Sequence, residues 1–295
     1  MRCIVVGPEG LLGSAVVDRL KRDSEMTVVP LPHRNMDITV ISDVLRALRS
    51  LKPDAIINCA AYTDVERCES EESLASAVNG AGVFNLGMAA QMQGSYFLHM
   101  STDYVFDGKL PRPYRESDPV CPINAYGRTK LEGEETLVYL INEKDLQCAV
   151  VRTSWLFGPH PTKKDFVARV AGTLQSNHYA FGVLNEFGCP TYSYDLADVL
   201  VEMVKKRQQG TYHCCNAGGF ISRLELVETI AARFGGKVHP VTAQDAAELF
   251  SLKARRPLLS ALCCDKMKAD MNMEMRHWKQ AVTDRFRQLL SHTKG

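Results

Sequence analysis

The chain of 295 residues is close to charge balance, with 35 basic and 34 acidic residues and a formal net charge of +1. No global field of either sign is available to hold nucleic acid or an anionic membrane, so neither is expected as a partner. A hydrophobic share of 45% and a charged share of 23% fit a soluble globular protein, in one large or two intimate domains.

The elements predicted from the pattern follow in chain order. Cys3-Ile4-Val5-Val6 is apolar but broken at once by Gly7-Pro8-Glu9, too short for a signal-peptide core. No apolar run reaches the length of a bilayer, and a cytoplasmic location is expected. Strands are predicted at Arg2–Val6, Thr27–Leu31, Ala55–Cys59, Ser95–Met100 and Gln147–Val151. Helices are predicted between them at Leu11–Arg22, Val40–Leu51, Glu72–Gln93 and Ala125–Ile141. The strand runs are almost wholly apolar, as in strands covered on both faces, and the alternation reads as βαβ units with a parallel sheet. After about residue 152 the pattern loosens. Gly158-Pro159-His160-Pro161 reads as a loop, and helices are expected at Asp165–Gln175, Tyr194–Arg207, Arg223–Phe234, Ala243–Phe250 and Met275–Leu290, with a strand at Thr211–Cys215. The second part is expected to be a smaller lobe interleaved with the first.

Ten cysteines include the vicinal pairs Cys214-Cys215 and Cys263-Cys264, but no Cys-x-x-Cys and no histidine at zinc spacing. They read as reduced, small hydrophobes, several of them buried.

Three local patterns carry chemistry. Gly7-Pro8-Glu9-Gly10-Leu11-Leu12-Gly13 follows the first strand and opens the first helix. Glycines there allow a tight turn and close approach of a pyrophosphate, and the helix start offers free N–H groups. Gly7, Gly10, Leu11, Leu12 and Gly13 are therefore candidate cofactor contacts. The second strand ends in Leu31-Pro32-His33-Arg34, with no carboxylate before Asp37. An acidic residue there favours NAD and a basic one can pair with a 2′-phosphate, so Arg34 leans towards NADP. Finally, Tyr126 and Lys130 stand four apart in a predicted helix, on one face, 24 residues beyond the Ser101–Tyr104 stretch. A phenol beside an ammonium can deliver a proton, and the hydroxyl of Thr102 can hold the same substrate oxygen.

Taken together with further stretches, these residues resemble the dTDP-4-dehydrorhamnose reductase family of the extended short-chain dehydrogenases/reductases. The stretches are Gly7–Gly13, Arg34–Thr39, Pro53–Thr63, Asn79, Ser101–Gly108, Pro113–Glu116, Tyr126–Glu134, Arg152–Trp155, Gly188–Tyr192 and Arg255–Pro257. They span nearly the whole chain. The resemblance implies an α/β fold: a Rossmann-type doubly wound parallel sheet with a smaller C-terminal α/β substrate lobe. Residues 1–152 would form the NAD(P)-binding domain, also receiving elements from about 185–215, and 153–295 mostly the nucleotide-sugar lobe.

It further implies NADPH as cofactor, with NADH an alternative, and a nucleotide-sugar as substrate. Thr102, Tyr126 and Lys130 match the catalytic set. Tyr126 would give the proton, Lys130 would lower its pKa and hold the nicotinamide ribose, and Thr102 would bond the carbonyl. Arg34, Asp37, Ile38, Ala60, Ala61, Tyr62, Asn79 and Ser101 fall on the cofactor side, together with Tyr126 and Lys130. Asp103, Tyr104, Phe106, Trp155 and Arg256 fall around the sugar nucleotide. Some relatives use a divalent metal such as Mg2+ at a homodimer interface. No ligands for one are assigned here, and a homodimer is compatible with the resemblance. The chain departs from the family pattern at Val40, at Asp165-Phe166 and at Asn185-Glu186, all outside the Thr-Tyr-Lys set. The same family also resembles the regulatory subunit of methionine adenosyltransferase, which offers a non-catalytic alternative; the intact Thr102, Tyr126, Lys130 and Arg152–Trp155 favour catalysis. Dehydratase chemistry is disfavoured because Thr102-Asp103 is followed by Tyr104 and not by Glu.

Overall fold

The computed structural model describes residues 1–159 and 165–292. The expected loop at Gly158–Pro161 runs out of the described residues at position 160. Five strands of the first half, β1 (Arg2–Val6), β2 (Thr27–Leu31), β3 (Ala55–Asn58), β4 (Tyr96–Thr102) and β5 (Cys148–Thr153), pair with a strand at Gly210–His213. The order is Gly210–His213, β5, β4, β3, β1, β2, and every pairing is parallel. β3, β4 and all but the last residue of β5 are buried, which is why the sequence shows apolar runs and not alternation. Pro30 is accommodated because β2 lies at the sheet edge, where a missing N–H is harmless.

Helix α1 (Leu11–Lys21) and the helix Ser193–Lys206 cover one face of the sheet. The helices Ile41–Leu51, Gly82–Gln93 and Ala125–Lys144 cover the other. The alternation within β4 feeds both sides. Tyr96, Leu98 and Met100 enter the first core, and Phe97 enters the second. After β1 the chain runs through α1 to β2 on one side and then returns to place β3 on the other side of β1. That reversal opens a crevice beyond the carboxyl ends of β1 and β3, where ligands of such sheets bind.

A smaller assembly has its own apolar cluster, built on Phe157, Leu174, Tyr192, Ile230, Trp278 and Val282. Its strands Tyr179–Val183 and Lys237–Val241 pair in parallel. Neither strand is apparent from the pattern, because both are short, contain Gly182 or Pro240, and show no clean apolar alternation. The expected helix over 72–93 is also interrupted, by a π-helical turn at Ala77–Ala81 that sets Asn79 into the interior. All ten cysteines are free thiols, six of them buried and Cys121 exposed.

Candidate active site

The glycine turn forms one wall of the crevice. Gly7 has φ of 72°, a left-handed conformation that suits glycine, and a Cβ there would stand 2.7 Å from the Ala60 nitrogen. The loops after β1 and β3 thus touch backbone to backbone. Gly10 is the N-cap of α1 with no side-chain cap, so the first N–H groups of the helix are left for a ligand. This cradle fits a dinucleotide pyrophosphate. Leu12 contributes backbone only, since its side chain is buried in the core behind the turn.

Other residues expected on the cofactor side do different work. Arg34 is exposed and paired with Glu9 of the glycine turn, so a cation stands at the end of β2 as expected. The Asp37 carboxylate is taken by the backbone N–H and hydroxyl of Thr39, at 2.9 and 2.7 Å, which hold it below the usual carboxylate range. Ile38 is buried against Gly82, and its carbonyl accepts from Asn85 at 2.9 Å. Asn79 clamps the 60–62 loop. It accepts from Tyr62 N at 2.9 Å and donates to Tyr62 O at 3.0 Å and to Thr129 Oγ1 at 3.1 Å. Ser101 points away from the crevice and donates to Glu134 at 2.5 Å. The side chains of Asp37, Ile38, Asn79 and Ser101 are thus committed to contacts within the protein.

The catalytic candidates meet at the carboxyl end of β4. Asn124 caps the helix Ala125–Lys144, accepting from Gly127 N at 2.8 Å. The first turn presses so closely on the 103–105 turn that a Cβ at Gly127 would lie 2.1 Å from the Tyr104 carbonyl oxygen. This closeness brings the Tyr126 phenol beside the Thr102 hydroxyl. Burial of the phenol raises its pKa, with the Thr102 hydroxyl opposing and the Asp103 charge reinforcing. Tyr104 lies edge-on to Tyr126, with ring centroids 5.9 Å apart.

Lys130, one helical turn on, does not face the phenol here. Its Nζ donates to the Met100 carbonyl at 2.6 Å and lies 3.3 Å from Nε2 of His99. Burial brings its pKa down to about 8. Lys130 is not among the groups that shift the Tyr126 phenol, so the expected lowering by Lys130 is not found.

Beneath these groups lies a buried polar floor largely outside the sequence-based site. Arg152 donates to Glu134 from Nε and Nη2, at 2.9 and 2.6 Å, and both side chains are less than 10% exposed. Asp103 is buried and accepts from Thr102, Ser154 and Ser260 at 3.1, 3.0 and 2.5 Å. Burial pushes its pKa up to about 7 despite those bonds. Its carboxyl is a bracket between the lobes more than a sugar contact. Phe106 is likewise closed to ligand. It is fully buried, stacked on Tyr114 at 4.1 Å, with the Arg152 guanidinium 5.1 Å from its ring centroid.

The smaller lobe faces this floor with three arginines. Arg223 donates to Glu186 at 3.0 Å and sits 3.5 Å over the ring of Trp155. Arg256 donates to Glu66 at 2.7 Å, and Glu66 also accepts from Lys253 N and Ala254 N. Arg169 is held below its usual pKa by burial and by the charges of Arg223 and Arg256. Tyr104 feels Glu186, Arg223 and Arg256, which joins this cluster to the catalytic end of β4. Trp155 has φ of 43°, strained for a bulky residue, and its indole N–H is buried without a partner. Glu186 and Asp165, where the chain departs from the family pattern, pair with Arg223 and Arg285. Arg169, Arg223 and Glu66 escaped the sequence reading; only the clustering of basic residues in three separate segments could have signalled them. Among the described residues no group of three or more His, Cys, Asp or Glu side chains converges as a metal site.

A parallel doubly wound sheet with a glycine turn at its switch point and a Thr-Tyr-Lys set at the end of β4 is an extended short-chain dehydrogenase/reductase, an oxidoreductase class. The family model described as RmlD substrate binding domain matches residues 1–291. The chain is 34% identical over 292 residues to dTDP-4-dehydrorhamnose reductase of Streptomyces griseus, covering 97% of this chain and 93% of that one. It is 33% identical over 289 residues to dTDP-4-keto-6-deoxy-D-glucose reductase of Streptomyces niveus, covering 97% and 96%. The crystal structure of dTDP-4-dehydrorhamnose reductase from Bacillus anthracis in complex with NADP superposes with a TM-score of 0.89, at 31% identity and 97% and 99% coverage. UDP-glucose 4-epimerase of Thermus thermophilus, at 20% identity and a TM-score of 0.81, shares the fold. The chain belongs to the dTDP-4-dehydrorhamnose reductase family. Among the described residues no helix is long and apolar enough to cross a membrane.

Proposed function

We propose that the chain reduces the C4 ketone of dTDP-4-dehydro-L-rhamnose to dTDP-L-rhamnose with NADPH. Residues 1–152, joined by the strand Gly210–His213 and the helix Ser193–Lys206, would bind the dinucleotide, and the smaller lobe the sugar nucleotide. The observation that carries this reading is the close packing of the Tyr126–Gly127 turn on the turn after Thr102, at the same end of the sheet as the glycine turn. The NADP bound to the Bacillus anthracis relative supports the cofactor, as does Arg34 at the end of β2.

When bound, the nicotinamide supplies the hydride for C4. The oxygen then takes a proton from the Tyr126 phenol, and Thr102, its hydroxyl turned from Asp103, donates a hydrogen bond to the same oxygen. Lys130 has one N–H direction beyond its contacts with Met100 and His99, which would serve the nicotinamide ribose and the phenolate. Arg169, Arg223 and Arg256 would take the diphosphate, whose charge suits guanidinium groups. Glu186 and Glu66 partner two of them in the meantime.

The test is loss of reduced-nicotinamide absorbance when purified protein is mixed with NADPH and enzymatically generated dTDP-4-dehydro-L-rhamnose. Rapid oxidation with NADPH, slower with NADH, is expected. The Streptomyces niveus relative makes dTDP-4-keto-6-deoxy-D-glucose the comparison substrate. Faster turnover of that sugar would move the assignment to it, and no turnover of either would overturn the reductase reading.

A further inference from the structure

Lys130 rests on a chain of buried groups that reaches the cofactor loop. Asn58, at the end of β3, and His99, in the middle of β4, are both fully buried. Asn58 Oδ1 accepts from Ala60 N at 3.1 Å, and Asn58 Nδ2 lies 3.1 Å from His99 Nδ1. The other ring nitrogen, Nε2, lies 3.3 Å from Lys130 Nζ. None of these contacts is part of the Thr102–Tyr126 pair.

The donor and acceptor inventory orders the chain. The Ala60 N–H needs an oxygen, which fixes Asn58 Oδ1 toward the loop and its NH2 toward the ring. An NH2 group can only donate, so Nδ1 of His99 must accept. Burial and the neighbouring Lys130 keep the ring neutral, with its pKa well below the usual value. The single ring proton is then on Nε2, aimed at Lys130. An ammonium has no lone pair to receive it; a neutral amine does. The titratable groups facing Lys130 do not oppose its ammonium: the Glu134 carboxylate favours it, and Cys59, pushed up to about 12 by burial, stays a neutral thiol.

We propose that His99 is a positioning residue, oriented by Asn58, which donates its Nε2–H to the amine of Lys130 and so couples the Ala60 loop to the proton at residue 130. If the loop withdraws its N–H, the Asn58 amide can turn and offer oxygen to Nδ1. The ring proton then belongs on Nδ1, and the bare Nε2 accepts from a Lys130 ammonium. The second state holds one more proton than the first, taken from solvent. Cofactor seated on the Ala60 loop would thereby bias the group that recharges Tyr126. That consequence rests on the reductase reading, whereas the contact itself does not.

Two variants separate the halves of the chain. His99→Asn keeps an acceptor for Asn58 but cannot reach Lys130; His99→Gln reaches Lys130. Carbon-13 NMR of the lysine Cε groups, with the Lys130 signal identified by its loss in Lys130→Arg, reads the titration directly. His99→Asn is expected to raise the Lys130 midpoint by about half a unit or more, the equivalent of one lost hydrogen bond. His99→Gln is expected to restore it in part. Nitrogen-15 NMR of the unliganded wild-type protein is expected to show the Nε2–H tautomer at about pH 9.5, above the Lys130 midpoint of about 8, where the amine is neutral. A Nδ1–H tautomer or an imidazolium would overturn the proposal, and that measurement decides alone should His99→Asn fail to fold. An unchanged midpoint in a folded His99→Asn would overturn it equally. If the midpoint moves while the pH profile of NADPH oxidation stays fixed, the His99 contact stands and the catalytic role given to Lys130 falls.

Discussion

The buried floor under Tyr126 and the arginine wall of the smaller lobe are both charged, yet they are built on opposite terms. In the floor the charged groups are answered inside the protein: Arg152 by Glu134, Asp103 by three hydroxyls, Lys130 by the Met100 carbonyl. In the wall three guanidinium groups crowd one another, with two carboxylates between them. A satisfied network fixes geometry before any ligand arrives, because a broken buried pair is costly. A surplus of cations is relieved when an anion arrives. The difference teaches that one region is made for placing atoms and the other for collecting charge.

Substitutions can break that comparison. The largest effect is expected from Tyr126→Phe, which removes the proton donor and should lower kcat by about 100-fold or more with little change in NADPH affinity. Near-normal turnover of the purified variant would remove Tyr126 from the mechanism. Arg152→Met strands Glu134 without its partner and should cost about 3–5 kcal/mol of stability. A thermal melt lowered by several degrees is the check, and an unchanged Tm would mean the floor is not stiff.

Lys130→Met is expected to separate function from stability. Activity should fall steeply, while the melting temperature at pH 7 rises. Burial depresses the folded-state pKa of Lys130 from 10.5 to about 8. The folded state is therefore favoured by the neutral amine, and this contribution is lost as pH falls from about 10.5 through 8. The methionine variant escapes that penalty, which by the size of the shift is on the order of 3 kcal/mol. Its advantage in Tm should be full below pH 8 and shrink towards pH 10.5. An advantage independent of pH would refute the burial account.

A smaller effect is expected in the wall. Arg223→Ala should raise the KM for the sugar nucleotide about tenfold with a modest change in kcat, because the group binds charge away from the reacting carbon. A fall in kcat at constant KM would make Arg223 part of the floor. The smallest effect is expected from Arg34→Ala, exposed and paired with Glu9, which should weaken NADPH a few-fold and leave NADH unchanged. Equal weakening of both would deny Arg34 the 2′-phosphate.

The parts of the site readable from sequence are those written over short distances. Tyr126 and Lys130 are one turn apart, Thr102 ends an apolar run, and the glycine turn sits between a strand and a helix. The same logic was available for the floor: His99 and Ser101 alternate on one face of β4, opposite Lys130 and Glu134 one turn apart. Asp103 illustrates what stays illegible. Its partners Ser154 and Ser260 come from 51 and 157 residues away, and no local pattern announces them. Phe106 and Asn79 were readable as members of a motif but not as to direction. One faces the core, and the other turns inward because a π-helical turn shifts the helix register.

Trp155 carries a consequence in optics. The chain holds two tryptophans, and the other, Trp278, is sealed in the smaller lobe at 1% exposure. Trp155 has the Arg223 guanidinium on its face, 3.5 Å from the ring centroid, whereas the cation over Trp278 is the Lys279 ammonium at 5.3 Å. A diphosphate that draws Arg223 aside changes the electric field across one indole and leaves the second untouched. The emission spectrum of the unlabelled protein is thus a built-in gauge of whether the wall is loaded, readable before any hydride moves.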